Sequence, residues 1–230
     1  MTAAVSRSSW LGRFQGKHSY WVVLLVILSA FFVAALTPDT SWAVSLLVLI
    51  ETGTLVLAVR TAGMRVLDAR LLVGLVAGGV VVAVAALVWN GDAATATLDI
   101  LTGLLTLAIV IVIALGAIRQ GEVNSKSVAG ALCVYVLIGM MFLFVYGVIA
   151  ALGNGPLFAQ GTDGTRAIRL YFSFITLTTV GFGDYTPLGK LSRALSALEA
   201  MTGGLYLVTV ISIVVSRLSL SAARRTSTVE

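Results

Sequence analysis

Residues 176–187 read TLTTVGFGDYTP. Gly181 and Gly183 alternate with Val180 and Phe182, threonines lead in, and Asp184 and Pro187 lead out. The run is too permissive for a helix or a strand, because glycine visits left-handed backbone freely. Yet it lies between long apolar segments, in a chain of 230 residues that is 59% hydrophobic and 11% charged. Mean hydropathy is +1.04. A soluble domain carries about a quarter charged residues. The bilayer is therefore the solvent in which this fold has to be read.

Working outward, residues 166–178, RAIRLYFSFITLT, read as a helix too short to span, with Asp163 or Thr165 able to cap its start. The helix must stop at Thr179. Beyond it, alternating right- and left-handed conformations would turn successive carbonyls to one side. The oxygens of Thr179, Val180, Gly181 and Phe182 would line an axis, the Thr179 hydroxyl would add a ring, and the Val180 and Phe182 side chains would point back into packing. Irregular backbone at membrane depth is tolerated only where it is buried in protein or lines a watery path. Carbonyls without backbone partners suit a dehydrated monovalent cation. The negative C-terminal end of the short helix favours a cation on the same axis.

Six apolar segments cover about residues 20–36, 42–59, 71–89, 98–118, 128–152 and 194–216. Each is near the ~20 residues that cross a bilayer, the first two being short. Trp21, Trp42 and Trp89 sit at segment ends, where amphipathic rings favour the interface. Pro38, Pro156 and Pro187 all fall outside the segments. The first segment has some features of a signal peptide, but five further segments favour an uncleaved helix. With the N-terminus inside, Arg7, Arg13, Lys17, Arg60, Arg65, Arg70, Arg119, Lys126, Arg217, Arg224 and Arg225 all lie inside. The outer loops 37–41 and 90–97 hold no base; Arg166, Arg169, Lys190 and Arg193 flank the quoted run. Both termini are then inside, and 153–193 enters from outside. Basic residues placed singly between apolar runs fit topology better than nucleic-acid binding. Cys133 alone can form neither an intrachain disulfide nor a multi-cysteine metal site, and reads as a small core residue. His18 alone cannot supply the His pairs of a haem protein.

TTVGFGD resembles the selectivity-filter signature of potassium channels, in its Phe rather than Tyr form. The resemblance extends to the preceding helix, to Pro187 and to EAMTGG at 199–204, similar to the Glu-Ala-x-x-Gly of inner helices in prokaryotic potassium channels. It is specific over about 128–217 and rests on count and topology over the first four segments. The family is the prokaryotic six-transmembrane tetrameric potassium channels of the voltage-gated-like superfamily. The fold implied is an all-α membrane protein with six transmembrane helices. A re-entrant pore helix and filter loop lie between helices five and six. Residues 1–19 would be a cytoplasmic N-terminal segment and 20–118 a voltage-sensor-like four-helix domain. Residues 119–127 would be a short cytoplasmic linker, 128–217 the pore domain and 218–230 a cytoplasmic tail. No ligand-binding domain is expected. Function would be passive K⁺ permeation. K⁺ would bind at Thr179, Val180, Gly181 and Phe182, with Gly183 completing the filter. One chain supplies one filter, so a homotetramer in the plasma membrane is implied. Its surroundings would be membrane lipid, with no organic cofactor and no nucleic-acid or soluble partner.

The resemblance also assigns supporting roles. Asp184 would anchor the outer mouth, with Tyr171 standing where many relatives carry a donating tryptophan. Phe182 and Phe172 both lack a hydroxyl, and Ile175 stands where some relatives carry a glutamate. Thr178 completes the support. Gly203 and Gly204 are read either as a gating hinge or as a site of close helix packing. Glu199 reads as packing support near the outer interface. Counting from Gly203, Leu207, Ile211 and Val215 would form an apolar inner gate.

Glu51 lies mid-segment, where a carboxylate is costly. It reads as protonated, as facing a water crevice or as a remnant countercharge. The fourth segment, LDILTGLLTLAIVIVIALGAI, has no base before Arg119, so weak voltage dependence is expected. A linker of about nine residues predicts that the four-helix domain packs beside its own pore helices. The competing classes are a poorly selective cation channel, a secondary transporter, which would want discontinuous helices and repeated halves, and a non-conducting accessory subunit. No enzyme chemistry is legible.

Overall fold

The computed structural model describes residues 19–62, 69–88, 92–119, 125–213 and 215–216. Expectations about residues 1–18, the middle of the 119–127 linker and the tail from 217 lie outside the described residues. Among the described residues there are seven helices. They are α1 (Ser19–Leu36), α2 (Ser41–Thr61), α3 (Ala69–Val88), α4 (Asp92–Arg119), α5 (Ser125–Leu152), α6 (Arg166–Leu177) and α7 (Lys190–Tyr206). No strand occurs among these residues, only isolated bridges joining Phe158 to Thr162 and to Pro187. Three stretches are long and apolar enough to cross a membrane: Ser41–Thr61, Thr95–Gly116 and Ser127–Leu152. Tyr20–Leu36 and Val76–Val88 are apolar but shorter.

Residues 92–97, DAATAT, extend α4 before its apolar stretch begins, since alanine favours a helix and threonine tolerates one. Hydroxyls inside the apolar helices bond within their own helix. Thr52, Thr54, Thr102 and Thr106 each donate to the carbonyl four residues earlier, at 2.7–2.9 Å, whereas Ser45 lies closer to Ala83 O of α3, at 2.7 Å, than to Ser41 O, at 2.9 Å. That leaves the hydroxyl oxygen free to accept without exposing an unpaired donor to apolar surroundings.

α5 is the helix around which the others assemble. Its contact with α4 is the most extensive in the molecule, and α1, α6 and α7 pack on its other sides. Within the chain, α4 therefore packs on α5. The shared core contains Tyr20, Ile27, Leu47, Leu55, Ile109, Ile113, Leu137, Met140, Leu143 and Tyr146. α3 is peripheral: it packs on α2, where Gly79 admits Thr52, and hardly touches α4. Its valines at 80, 81, 84 and 88 face outward.

α7 buries only Ser192, Glu199 and Gly203 along its length and leaves Leu191, Leu198, Met201 and Leu205 exposed. Residues Leu207–Ile211 then form a π-helical turn.

Candidate functional site

The start of α6 is held by two separate devices. Thr165 is the N-cap, its hydroxyl accepting the Ile168 N–H at 3.3 Å. Asp163 caps nothing here; its carboxylate accepts the Leu157 N–H at 2.9 Å. The first backbone N–H, of Arg166, donates to Asp39 Oδ2 at 2.9 Å, and the Arg166 guanidinium meets Asp39 Oδ1 at 3.4 Å. A carboxylate from the α1–α2 turn therefore complements the positive end of the helix.

α6 ends at Leu177, with Thr178 as its C-cap. The Thr178 hydroxyl donates back to Phe174 O at 2.6 Å. Beyond it, φ is +59° at Thr179, +52° at Gly181 and +80° at Gly183. The two glycines take left-handed backbone at no steric cost. Thr179 takes it against a cost of about 1–2 kcal/mol, and it is the one non-glycine with positive φ among the described residues. Three hydrogen bonds hold it there. Thr179 N–H donates to Thr176 O at 2.9 Å, while the Val180 and Gly181 N–H groups both reach Ile175 O, at 2.9 and 3.1 Å. The N–H groups of Thr179, Val180 and Gly181 are thus committed to the last carbonyls of α6. No backbone N–H among the described residues reaches the carbonyls of Thr179 to Gly183.

The outer end of the run is stitched to the preceding loop. Leu188 N–H donates to Leu157 O at 2.7 Å and Ala159 N–H to Thr186 O at 2.8 Å. Gln160 completes the seam, donating to Asp184 O at 2.7 Å and accepting the Thr186 N–H at 3.3 Å. Sequence reasoning missed Gln160, because a loop glutamine carries no local signal. The Asp184 carboxylate beside the Tyr171 hydroxyl pushes the tyrosine pKa upward. Its ring stacks parallel to Phe182, centroids 6.5 Å apart. Phe172 turns the other way, packing edge-on against Tyr146 and Phe158.

Within the single chain Val180 and Phe182 are 54% and 70% exposed, although the Phe182 ring stacks on Tyr171. A single chain has too few atoms beside the run to cover them.

Behind α6 lies a buried polar knot. Glu199 of α7 is fully buried. Tyr146 of α5 donates to its Oε2 at 2.6 Å, and Ser173 of α6 lies 2.5 Å from its Oε1. Ser173 also donates to Gly139 O of α5 at 2.8 Å. Serine has one hydroxyl hydrogen for these two oxygens; a carboxylic acid at Glu199 would supply the second. The sequence marked Glu199 as packing support, but Tyr146 and Ser173 were missed, because nothing local distinguishes them from other hydroxyl residues on apolar helices.

One turn below, a Cβ on Gly203 would fall on the Leu177 carbonyl, whereas Gly204 faces open space. Gly203 thus lets α7 approach the end of α6. The Tyr206 hydroxyl then donates to Ala131 O at 2.7 Å. A π-helical turn follows at Leu207–Ile211, over part of the expected gate. Leu207 and Val215 are exposed, and the side chain of Ile211 lies outside the described residues.

In the peripheral helices, Glu51 is buried, with Thr106 Oγ1 at 3.0 Å from Oε2 and no partner at Oε1. No base pairs with it among the described residues. Asp99 of α4, not singled out in the sequence, sits where Gly147 of α5 leaves room for its carboxylate.

Residues 131–219 match a family model described as "Ion channel". No curated protein matches the chain. The matched residues take in most of α5, all of α6 and α7, and the glycine run. With helices apolar enough to cross a membrane, the match points to a membrane ion channel rather than an enzyme.

Proposed function

We propose that this protein is a potassium-selective channel formed by four copies around a central axis, with Thr179–Gly183 as the filter and six membrane spans per chain. The observation that carries the reading is the backbone of the run. Left-handed conformations recur at 179, 181 and 183, and the N–H groups of 179–181 are spent on α6. The carbonyls left over need a ligand, and the oxygens of a row of peptides replace the hydration shell of K⁺.

Exposure supports the tetramer. Irregular backbone open to lipid is not tolerated, so the exposed run and the bare face of α7 call for neighbouring subunits and a watery axis. Val180 and Phe182 would then be covered by the adjacent copy. The filter opens to the outside, both termini lie inside the plasma membrane, and α1–α4 form a collar with weak voltage dependence. α4 carries no base before Arg119, and moving one charge through the full field is worth about 2.3 kcal/mol per 100 mV.

The test is the reversal potential of the purified, reconstituted protein in K⁺ and Na⁺ gradients. Currents should follow the K⁺ gradient. Gly183→Ala, which forces a Cβ onto backbone at φ +80°, should abolish that selectivity. Currents that follow both cations equally would make this a poorly selective cation channel.

A further inference from the structure

Where α6 crosses α5 the helices meet at a glycine. A Cβ on Gly139 would fall on the Phe174 ring, and the neighbouring Ser173 hydroxyl lies 2.8 Å from Gly139 O. The same hydroxyl lies 2.5 Å from Glu199 Oε1 on α7. Tyr146 reaches Glu199 Oε2 at 2.6 Å, and Ser196 reaches Ser192 O at 2.8 Å. Each of these contacts needs a hydrogen between its oxygens, and each hydroxyl has one to give. The Gly139 and Ser192 carbonyls have none, so the Ser173 and Ser196 hydrogens are spent on them. Tyr146 spends its own on Glu199, its contact with Ser196 being longer, at 3.2 Å. The contact between Ser173 and Glu199 is left without a hydrogen unless the carboxyl brings it.

Nothing nearby balances a charge at Glu199. The residue is fully buried, α5 and α6 pack on its helix, and no base forms an ion pair with it among the described residues. Arg166 turns to Asp39, Arg169 to the Asp163 and Gly164 carbonyls, and Arg193 to the Pro187 carbonyl. An unpaired buried charge is far costlier than a neutral acid with its hydrogen bonds made. Ser173 also sits just before the residues that carry the glycine run. The next carbonyl, of Phe174, accepts both the N–H and the hydroxyl of Thr178, and that of Ile175 holds the Val180 and Gly181 N–H groups.

We propose that Glu199 is a positioning residue for the run at 179–183, acting as a neutral carboxylic acid that donates from Oε1 to Ser173. The acid hydrogen leaves Ser173 free to donate to Gly139 O. One hydroxyl then fastens α6 to α5 and α7 together, and the Ile175 carbonyl that carries the run keeps its place. The hydrogen assignment rests on the contacts; its consequence for selectivity rests on the potassium-channel reading above.

The experiment is infrared difference spectroscopy of the purified, reconstituted full chain, the parent against Glu199→Gln. Glu51 and Asp99 are present in both proteins and cancel. The parent should show the carbonyl band of one protonated carboxylic acid that the variant lacks. Ser173→Ala, which takes away the acceptor, should move that band to higher frequency. Reversal potentials then read the run. Ser173→Ala should lower the K⁺-to-Na⁺ permeability ratio about fivefold, as the loss of one hydrogen bond would. Glu199→Gln, whose amide donates in place of the acid, should stay within about twofold of the parent. A carboxylate band in the parent that the glutamine variant lacks overturns the neutral acid. An acid band unmoved by Ser173→Ala overturns the donation to Ser173. An unchanged permeability ratio in Ser173→Ala overturns the positioning role and leaves a packing contact. The spectrum of parent against glutamine decides the acid even if Ser173→Ala fails to fold. Equal passage of both cations by the parent would sink the channel reading and the filter role with it, while the spectrum would still report the hydrogen.

Discussion

The two buried glutamates, one in each half of the molecule, sit in opposite surroundings. In the α5–α7 half, Glu199 has both oxygens in hydrogen bonds, to Tyr146 and Ser173, and three helices meet there. In the α1–α4 half, Glu51 has one weak contact and an orphaned oxygen. A satisfied buried network fixes one arrangement, whereas an unsatisfied group contributes cost without specificity. The tied glutamate is the one that packs behind α6 and the glycine run. The tightest point of that half is Gly203 against the Leu177 carbonyl, which sets how near the inner helix comes to the end of α6.

Substitutions can break this contrast in order of size. The largest effect is expected at Gly203. Gly203→Ala places a Cβ on a backbone carbonyl that cannot move without disturbing Thr179, and overpacking of this kind costs about 3 kcal/mol. Gly204→Ala meets open space and should melt like the parent. Thermal unfolding in detergent separates them; equal melting temperatures would remove the close-packing role and favour a hinge.

Next is Glu199. Alanine removes the group that ties Tyr146 to Ser173 and opens a buried cavity between three helices, with Ser173 still bonded to Gly139 O and Tyr146 keeping only Ser196 at 3.2 Å, and should cost about 3 kcal/mol. Glutamine can donate to Ser173 and accept from Tyr146, so Glu199→Gln should recover most of that loss. If the Gln and Ala variants melt together, the buried group acts as a charge and the hydrogen count is misassigned.

Tyr171→Phe is milder. It removes the hydroxyl beside Asp184 and keeps the ring stacked on Phe182. Conductance and selectivity should persist while open bursts shorten in single-channel records. Unchanged bursts would mean that Gln160 alone holds the mouth.

The smallest effect belongs to Glu51. With no base paired to it among the described residues, Glu51→Gln should alter stability by less than about 1 kcal/mol, and it should leave open probability between −100 and +100 mV unchanged. A marked change in steepness would make the peripheral half a sensor rather than a collar.

The residue types and their order carried much of this protein. Apolar stretches announced the long helices because the bilayer demands about twenty apolar residues in a row. The run at 179–183 announced irregular backbone because glycine alternates with bulk. EAMTGG marked both Glu199 and Gly203, without saying what either one touches. Three things waited for the tertiary structure. That Thr179 is left-handed depends on the carbonyls of Thr176 and Ile175, which accept its N–H and those that follow. That Gly203 is a contact depends on where α6 ends. Asp99 stayed unread because one acid on an apolar helix means little until Gly147, Arg166 and Arg169 stand around it. Local backbone preference and hydrophobicity are properties of neighbours in sequence, so they are legible there. Hydrogen-bond partners 26 to 127 positions apart are set by packing, and only the folded chain brings them within reach.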